Sequence, residues 1–282
     1  MKQPHNVLAD LDAFVDRILA EDVGSGDITS NTVVPEGIIF HAAMAAREPL
    51  IVAGLPVASA FIKKLAPDAK IEFCVEDGDF AEKGTVLVRV EAPARALLTA
   101  ERATLNILQH MSGIATMTRQ YVDMIDGTGA ILLDTRKTTP GLRMLEKYAV
   151  TMGGAENHRI GLFDAVLIKD NHIALAGGVT QAVASARAGT DLKIEVECDT
   201  LDQAREALEA GADMLLLDNM GPEKLAKAVK MIDGRIPLEA SGGINLNTIR
   251  PIAETGVDYI SVGRITQSAP AMDIGMDFEA VG

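Results

Sequence analysis

Residues 192–218 read Leu192-Lys-Ile-Glu-Val-Glu-Cys-Asp-Thr-Leu-Asp-Gln-Ala-Arg-Glu-Ala-Leu-Glu-Ala-Gly-Ala-Asp-Met-Leu-Leu-Leu-Asp218. The stretch contains an apolar run at 192–196, a helical pattern at 201–210 and a second apolar run at 214–217. Short apolar runs on either side of a helix are typical of buried parallel strands. This stretch therefore predicts one strand–helix–strand unit.

The same alternation recurs over the second half of the chain. The predicted strands are 130–133, 165–168, 192–196, 214–217, 237–240 and 259–262, and the predicted helices between them include 179–188, 201–210, 222–231 and 246–255. Their spacing, about 21 to 35 residues from strand to strand, is typical of βα units. Six such units, with room for one more, favour a (β/α) barrel, and an open doubly wound sheet is the alternative.

The first part of the chain has a different texture. Its predicted elements are an amphipathic helix at 7–20, a turn-rich loop at 21–29, a helix near 55–65, and strands at 38–46, 70–75 and 85–90. These predict a small sheet-containing domain. Next, Thr99 is expected to cap a helix that runs to about Ser112. Gly113 is expected to break it before a second helical stretch that ends near Ile125.

Charge is distributed unevenly. The 282-residue chain has 26 Lys and Arg against 40 Asp and Glu, a formal net charge of -14. Six cations nevertheless lie between Asp134 and His172, namely Arg136, Lys137, Arg143, Lys147, Arg159 and Lys169. A basic cluster in an acidic chain indicates a focused anion site, with ordinary surface ion pairs as the alternative. The acidic balance argues against nucleic acid as the main partner.

Localisation is predicted to be cytoplasmic. The two cysteines, Cys74 and Cys198, give no disulfide framework and are each expected to be buried. The N-terminus leads into an amphipathic pattern and not into an apolar signal segment. The longest apolar run, 49–62, is shorter than the roughly 20 residues that span a bilayer. No membrane association is therefore expected.

Each predicted barrel strand is followed by residues that can carry chemistry. In chain order these are Arg136 and Lys137, Lys169 and His172, Glu197, Asp218 and Asn219, Ser241-Gly242-Gly243, and Gly263. Binding sites of parallel α/β folds form where the carboxyl ends of the strands meet. The sequence therefore predicts one shared site.

The residue types suggest what the site binds. The glycine turns after the last two strands suit a phosphate, although tight turns alone also need glycine. Glu197 and Asp218 could share Mg²⁺ with a diphosphate, accept ribose hydroxyls, or balance nearby cations. His158 and His172 have no evident Ser or Cys partner, and both, His172 above all, also suit structural roles. Residues alone thus indicate a phosphorylated sugar, a divalent ion and a second anion.

Longer motifs resemble a known family. They are 135–143 (TRKTTPGLR), 146–150 (EKYAV), 153–154 (GG), 157–159 (NHR), 167–172 (LIKDNH), 217–220 (LDNM) and 239–243 (EASGG), together with 21–29 (EDVGSGDIT) and 98–106 (LTAERATLN). In this order they resemble quinolinate phosphoribosyltransferase, and the resemblance covers nearly the whole chain. It implies an N-terminal α/β sandwich domain, residues 1–112, followed by an incomplete, seven-stranded α/β barrel of the TIM type, residues 113–282.

The resemblance also implies an activity and residue roles. The reaction joins quinolinate to phosphoribosyl pyrophosphate with Mg²⁺, and gives nicotinate mononucleotide, pyrophosphate and CO2 in NAD biosynthesis. The quinolinate carboxylates would be held by Arg136, His158, Arg159 and Lys169. The phosphoribosyl pyrophosphate and its metal would be served by Lys137, Glu197 and Asp218, and the 5′-phosphate by Ser241, Gly242, Gly243 and Gly263. Arg102 would reach into the site of a partner subunit, which implies a homodimer or a larger assembly of dimers.

One segment departs from the family pattern. The chain reads Arg264-Ile-Thr-Gln-Ser268, where many relatives resemble Ala-Leu-Thr-His-Ser. Gln267 can donate a hydrogen bond but carries no charge. Two alternatives to the implied activity stand beside it. One is a homologue of the molybdenum-transport-associated type that acts on a different anion, and the other is a non-catalytic phosphometabolite sensor.

Overall fold

The computed structural model describes residues 11–278. The helices are α1 (Leu11–Val23), α2 (Ile28–Val33), α3 (Leu55–Leu65), α4 (Ala94–Ile125), α5 (Arg143–Met152), α6 (Asp170–Ala176), α7 (Val179–Gly189), α8 (Leu201–Glu209), α9 (Pro222–Ile232), α10 (Ile249–Ala253) and α11 (Arg264–Gln267). The strands are β1 (Ile39–Ala46), β2 (Leu50–Ile51), β3 (Lys70–Phe73), β4 (Phe80–Ala81), β5 (Val86–Pro93), β6 (Ile131–Leu133), β7 (Val166–Ile168), β8 (Ile194–Cys198), β9 (Met214–Asp218), β10 (Leu238–Ser241), β11 (Tyr259–Ser261) and β12 (Ile274–Phe278). The first residues of the predicted helix, 7–10, lie outside the described part.

Two compact units divide the chain. The first comprises the described residues up to Met117, Met144–Gly154 and the residues from Ala269 onward. The second comprises Thr118–Arg143 and Ala155–Ser268. No helix within residues 11–278 combines the length and the apolar character that a bilayer crossing requires.

The first unit is built on an antiparallel sheet with the strand order β12-β1-β5-β3. The last strand returns to the first, since Ala42 of β1 pairs with Phe278 of β12. Buried side chains of β1, α3 and β5, such as Met44, Ile62 and Leu87, form one core cluster. The sheet therefore needs residues from both ends of the chain.

Helix α4 corrects the prediction of a break at Gly113. It is a single helix of 32 residues that begins before Thr99. The Thr99 hydroxyl donates to the Arg95 carbonyl, 2.7 Å away, so Thr99 lies inside the helix. At Gly113 an added Cβ would lie 2.0 Å from the carbonyl oxygen of Pro270. The glycine thus permits a close backbone approach and does not end the helix.

The segment 21–29 is less irregular than predicted. Helix α1 continues to Val23, and α2 begins at Ile28. Asp27 caps α2, because its Oδ1 accepts the backbone N–H of Ser30 at 2.9 Å. The predicted turn is therefore limited to the residues around Gly24 and Gly26, which both have positive φ angles. The prediction that both cysteines are buried is wrong for Cys74, which is exposed, and correct for Cys198.

The second unit confirms the predicted α/β fold. Its strands form a parallel sheet of six with the order β6-β11-β10-β9-β8-β7. From β7 to β11 each strand lies beside the next in the chain, and β6 then pairs with β11. This is the cyclic order of a barrel that is open between β6 and β7, whereas a doubly wound sheet reverses its order at a switch point. The described part has six strands where seven were implied, and an isolated parallel bridge joins Leu133 to Glu156.

Candidate active site

The carboxyl ends of the parallel strands surround a cavity of about 710 Å³ in the second unit. The predicted site residues of that unit all line it, namely Arg136, Lys137, His158, Arg159, Lys169, Glu197, Asp218, Ser241, Gly242, Gly243 and Gly263. Strand register explains part of this arrangement, because Ser241 pairs with Asp218 across β10 and β9. The shared site predicted from the strand ends is therefore present as a cavity.

Two arginines give one side of the cavity its positive charge. The Nε of Arg136 is buried and has no hydrogen-bond partner among the described residues. Burial lowers the pKa of Arg159, and the positive charge of Arg136 lowers it further. Two partly buried cations that repel each other are stabilised by an anion between them. This side of the cavity is thus suited to a carboxylate or phosphate.

The loop that carries His158 and Arg159 is held by hydrogen bonds to two aspartates, Asp134 and Asp164. Asp134, which is fully buried at the end of β6, accepts the side-chain amide of Asn157 at 2.8 Å and the backbone N–H of His158 at 2.8 Å. Asp164 accepts the backbone N–H of Ile160 at 2.8 Å. These hydrogen bonds hold the loop in one conformation over the cavity.

Arg143 links two loops of the site, a role that its sequence motif did not predict. Its Nε donates to Thr138 Oγ1 at 3.0 Å, and its Nη1 donates to the Ile160 carbonyl at 3.1 Å. Arg143 therefore ties the loop after β6 to the loop that precedes β7. Its guanidinium supports the loop that carries Arg136.

His158 lies against two buried carboxyl groups. Its Nε2 is 3.2 Å from Glu195 Oε2 and 3.3 Å from Glu239 Oε2. Burial alone would lower the pKa of His158, but the hydrogen bonds and charges of the two carboxylates outweigh it and raise the pKa to about 10. Burial raises the pKa of Glu195. The two neighbouring carboxylates therefore favour the cationic, protonated form of the His158 ring.

Sequence reasoning did not assign a role to these two glutamates, although a signal was present. Glu195 precedes Glu197 by two residues on β8, and Glu239 precedes Ser241 by two residues on β10. Side chains two apart on a strand share a face. Each glutamate is therefore the neighbour of a predicted site residue on the same face of its strand. A charged residue in a buried strand indicates a functional or paired group.

The cavity lining also has an acidic part, formed by Glu197 of β8 and Asp218 of β9. Lys169 Nζ lies 2.5 Å from Glu197 Oε2. Burial raises the pKa of Asp218, and the negative charges of Glu197 and Asp199 raise it further. Asn219, in a left-handed conformation with φ 54°, donates its side-chain amide to Asp218. A pair of mutually repelling carboxylates is a donor set that suits a hard divalent cation.

His172 has the structural role that the sequence favoured. Its Nδ1 accepts the backbone N–H of Lys169 at 2.9 Å and so caps α6. The contact fixes the backbone of Lys169 at the end of β7. His172 therefore serves the site indirectly.

Close contacts explain why glycine occupies two of the turns at the site. Gly242 has φ 92°, and an added Cβ would lie 2.2 Å from Asn219 Oδ1. At Gly263 an added Cβ would lie 2.7 Å from Lys137 Cδ. Both glycines thus permit close approach of site residues, beside any contact with a phosphate. Arg264 and Gln267, in the segment that departs from the family pattern, also line the cavity.

Arg102 is the predicted site residue that lies in the other unit. It is on α4 and is exposed. Its predicted contact with a partner subunit remains a prediction.

Comparisons with known proteins agree with these motifs. Sequence models of the N-terminal and C-terminal domains of quinolinate phosphoribosyl transferase match residues 27–112 and 114–277. A probable nicotinate-nucleotide pyrophosphorylase (carboxylating) of Bacillus subtilis strain 168 is 44% identical over 269 residues, which cover 95% of this chain and 93% of the relative. The nicotinate-nucleotide pyrophosphorylase (carboxylating) of Mycobacterium leprae strain TN is 45% identical over 268 residues, 93% of this chain and 94% of the relative.

Solved structures give the same result. The structure of the nicotinate-nucleotide pyrophosphorylase from Francisella tularensis superposes with a TM-score of 0.93 and 40% identity, and covers 99% of this chain and 98% of its own. Sequence and structure agree over both units of the chain. This chain belongs to the quinolinate phosphoribosyl transferase family.

Proposed function

We propose that the protein transfers the phosphoribosyl group of phosphoribosyl pyrophosphate to quinolinate and releases CO2 and pyrophosphate, which leaves nicotinate mononucleotide. The observation that carries this proposal is that one cavity is lined both by cations, Arg136 and Arg159, and by carboxylates, Glu197 and Asp218. We call these two sets of residues the cationic side and the acidic side. A dicarboxylate and a metal-bound diphosphate need these two sides. Family membership supplies the identity of the two substrates.

Quinolinate belongs on the cationic side. Its two carboxylates would be bound by Arg136 and Arg159, which offer planar guanidinium groups, by Lys169, which offers a compact charge, and by His158. The unpartnered Nε of Arg136 supports this assignment. Asp134 and Arg143 hold the loops that carry Arg136 and Arg159 in one conformation. The conformational entropy of these loops is therefore lost on folding and not on substrate binding.

Phosphoribosyl pyrophosphate belongs on the acidic side with Mg²⁺. The residues fit the ion, because Mg²⁺ is commonly held by one or two carboxylates together with substrate phosphates, and Glu197 and Asp218 are two such groups. When bound, the ion would stabilise the charge that develops on the departing diphosphate. Lys137 would add a cation to the same leaving group, and the turns of Ser241–Gly243 and Gly263 would receive the 5′-phosphate.

The protein itself mainly binds and orients the reactants. The lone pair of the pyridine nitrogen forms a bond to the anomeric carbon of ribose while the bond from that carbon to diphosphate breaks. Glu197 and Asp218 would stabilise positive charge on the sugar. The pyridinium ring then accepts the electron pair of the neighbouring carboxylate bond as CO2 leaves, and a proton takes the place of that carboxyl group. No covalent nucleophile is required.

A homodimer is part of the proposal, with Arg102 of each chain contributing to the site of the other. Mixing two inactive variants tests it. If Arg102→Ala and Lys137→Ala chains are co-expressed, one site in each mixed dimer has both residues intact, and activity should return. Mixed dimers that stay inactive would contradict the contribution of Arg102 in trans.

The activity itself is tested with quinolinate, phosphoribosyl pyrophosphate and Mg²⁺, by following nicotinate mononucleotide by chromatography. Nicotinate and nicotinamide serve as competing acceptors. Product from quinolinate alone, lost when a chelator removes the metal, is the expected result. A folded protein that gives no product would instead favour a family member that acts on another anion.

A further inference from the structure

Lys137, in the loop after β6, is held by a threonine from a distant part of the chain. Thr266 of α11 is 2% exposed, and its hydroxyl donates to the Lys137 carbonyl with an oxygen–oxygen distance of 2.7 Å. The two residues are 129 positions apart. They meet because β6 pairs with β11, with Leu133 opposite Ser261, so the segments after these strands leave the sheet side by side. The contact therefore joins two neighbouring connections of the second unit.

The hydroxyl of Thr266 has one proton and two carbonyl groups within reach. The Gly263 carbonyl lies 3.2 Å from Oγ1, but it already accepts the backbone N–H groups of Thr266 at 3.3 Å and of Gln267 at 3.1 Å. The Lys137 carbonyl is nearer, and its distance of 2.7 Å is the usual length of a hydrogen bond from a hydroxyl. The proton is therefore donated to Lys137.

The N–H group and the side chain of Lys137 are held as well. Its backbone N–H donates to Thr135 Oγ1 at 3.0 Å. An added Cβ at Gly263 would lie 2.7 Å from Lys137 Cδ, so the lysine stem lies directly against the glycine backbone. The positive charge of Lys137 opposes the rise in the pKa of Asp218, which shows that the ammonium group is within range of the acidic part of the cavity.

We propose that Thr266 is a positioning residue: its hydroxyl fixes the backbone of Lys137, and Gly263 leaves room for the lysine stem, so that the ammonium group is directed at the diphosphate. Thr266 does not line the cavity itself, so it acts through Lys137. The proposal rests on the proposed function only for the identity of the diphosphate.

Lys137 needs such a support for two reasons. It belongs to neither a helix nor a strand, so no regular element fixes its backbone. A lysine side chain is also long and flexible, and holding its stem limits the positions that the ammonium group can adopt. Stabilisation of a leaving group depends on the distance between the charges. The long-range hydrogen bond from Thr266 therefore takes the place of a secondary-structure scaffold.

Amide hydrogen exchange of the free protein tests the positioning directly. The N–H groups of Lys137 and Thr138 are both hydrogen-bonded within the loop, that of Thr138 to the Arg136 carbonyl at 3.0 Å. We expect Thr266→Val, which removes the hydroxyl and keeps the shape, to raise the exchange rates of these two amides about fivefold or more. Thr266→Ser keeps the hydroxyl and should exchange like wild type. Unchanged rates in Thr266→Val would overturn the proposal, whether or not the protein turns over quinolinate.

A double-mutant cycle tests whether Thr266 acts on the reaction through Lys137. We expect Thr266→Val to lower kcat/KM for phosphoribosyl pyrophosphate about tenfold, the effect of losing one hydrogen bond, and Thr266→Ser to retain most of the activity. In a Lys137→Ala background the valine change should cost less than about twofold, because residues that act as one unit are not additive. Equal effects in both backgrounds would show a general structural role and contradict the proposal.

Thr255→Val is the matched control. The Thr255 hydroxyl, also in the second unit, donates to the Ile252 carbonyl at 2.6 Å, and Thr255 does not line the cavity. This variant should leave the exchange of the two amides and kcat/KM unchanged, and an effect equal to that of Thr266→Val would also contradict the proposal.

Two further measures keep the cycle interpretable. Thermal unfolding verifies the fold of each variant, and Thr266→Ala replaces Thr266→Val if the valine variant does not fold. If the wild-type protein forms no nicotinate mononucleotide, calorimetric affinity for magnesium pyrophosphate replaces kcat/KM in the same cycle. Failure of the proposed function is thereby distinguished from failure of the role of Thr266, which the exchange rates decide independently.

Discussion

Lys169 and Glu197 form an ion pair between the ends of β7 and β8, with Nζ 2.5 Å from Oε2. The pair joins the two sides of the cavity, since Lys169 is assigned to quinolinate and Glu197 to phosphoribosyl pyrophosphate and its metal. Each residue must leave the other before it can bind a ligand fully. Binding of one substrate should therefore free the group that binds the other, which couples the two affinities.

Glu197→Gln tests this coupling through two quantities, the turnover rate and the affinity for quinolinate. The change removes the negative charge and keeps the size of the side chain. We expect turnover to fall about a hundredfold or more, because charge stabilisation on the sugar and leaving group is lost. Quinolinate should bind at least as tightly as before, since Lys169 no longer has a charged partner. Steady-state kinetics and calorimetry with quinolinate measure the two effects.

Asp202→Asn is the matched control for this change. Asp202 is a highly exposed residue of α8, where it pairs with Arg205. It should leave both quantities unchanged. Normal turnover of Glu197→Gln would remove Glu197 from the proposed mechanism.

Lys137→Ala tests the cation at the leaving group. Lys137 is exposed and lines the cavity, so its removal should leave the fold intact. We expect kcat to fall about a hundredfold or more, because the charge on the departing diphosphate loses a partner. Circular dichroism and thermal unfolding verify the fold. Lys227→Ala, at an exposed position of α9, is the control. Turnover within a few-fold of wild type would contradict the role.

Gly242→Ala tests the close approach between the turn after β10 and Asn219. Besides adopting φ 92°, the alanine Cβ would meet Asn219 Oδ1 at 2.2 Å, so Asn219 and the adjacent Asp218 must move. We expect a higher KM for phosphoribosyl pyrophosphate and a loss of about 2 kcal/mol or more in unfolding free energy.

Gly234→Ala provides the comparison for this prediction. Gly234 has φ 70° with nothing within 4 Å of an added Cβ, so the change introduces backbone strain alone. It should cost about 1–2 kcal/mol and leave the KM unchanged. Equal kinetic behaviour of the two variants would show that the Asn219 contact does not matter to the site.

Tyr148→Phe tests a partly buried hydrogen bond of the first unit by its pH dependence. The Tyr148 hydroxyl donates to Asp77 Oδ2 at 2.6 Å, and Asp77 also accepts the backbone N–H groups of Gly54 and Leu55 at the start of α3. Burial, together with Asp77, raises the pKa of Tyr148. We expect the variant to lose about 1 kcal/mol of unfolding free energy at neutral pH.

The change of unfolding free energy at alkaline pH gives the sign of the effect. An unfolded tyrosine loses its proton near pH 10, roughly its unperturbed pKa, while the folded protein keeps the proton of Tyr148 to higher pH. The hydrogen bond therefore contributes fully below about pH 10, and its contribution declines above it. Urea unfolding should show a shallower alkaline loss in Tyr148→Phe than in wild type. An unchanged slope in Tyr148→Phe would contradict the prediction.

Local sequence was a good guide where local forces decide the structure. The strands β6 to β11 were predicted to within two residues at each end, because buried parallel strands are short apolar runs that differ from amphipathic helices. Gly113 was misread for the opposite reason. Its neighbour Pro270 is far away in the chain, and a close approach of two such backbones leaves no mark on the local pattern.

The sequence by itself determined the α/β fold, the strand ends that carry the site, and the residue types gathered there. Those properties follow from hydrophobic periodicity and from the rule that parallel strands end on one face. Only the tertiary structure decided how the charges pair: that Lys169 neutralises Glu197, that Arg143 joins two loops, and that His158 lies against Glu195 and Glu239. Such pairing depends on the distances between side chains from different strands. Those distances are properties of the folded structure and cannot be read from the spacing of residues along the chain.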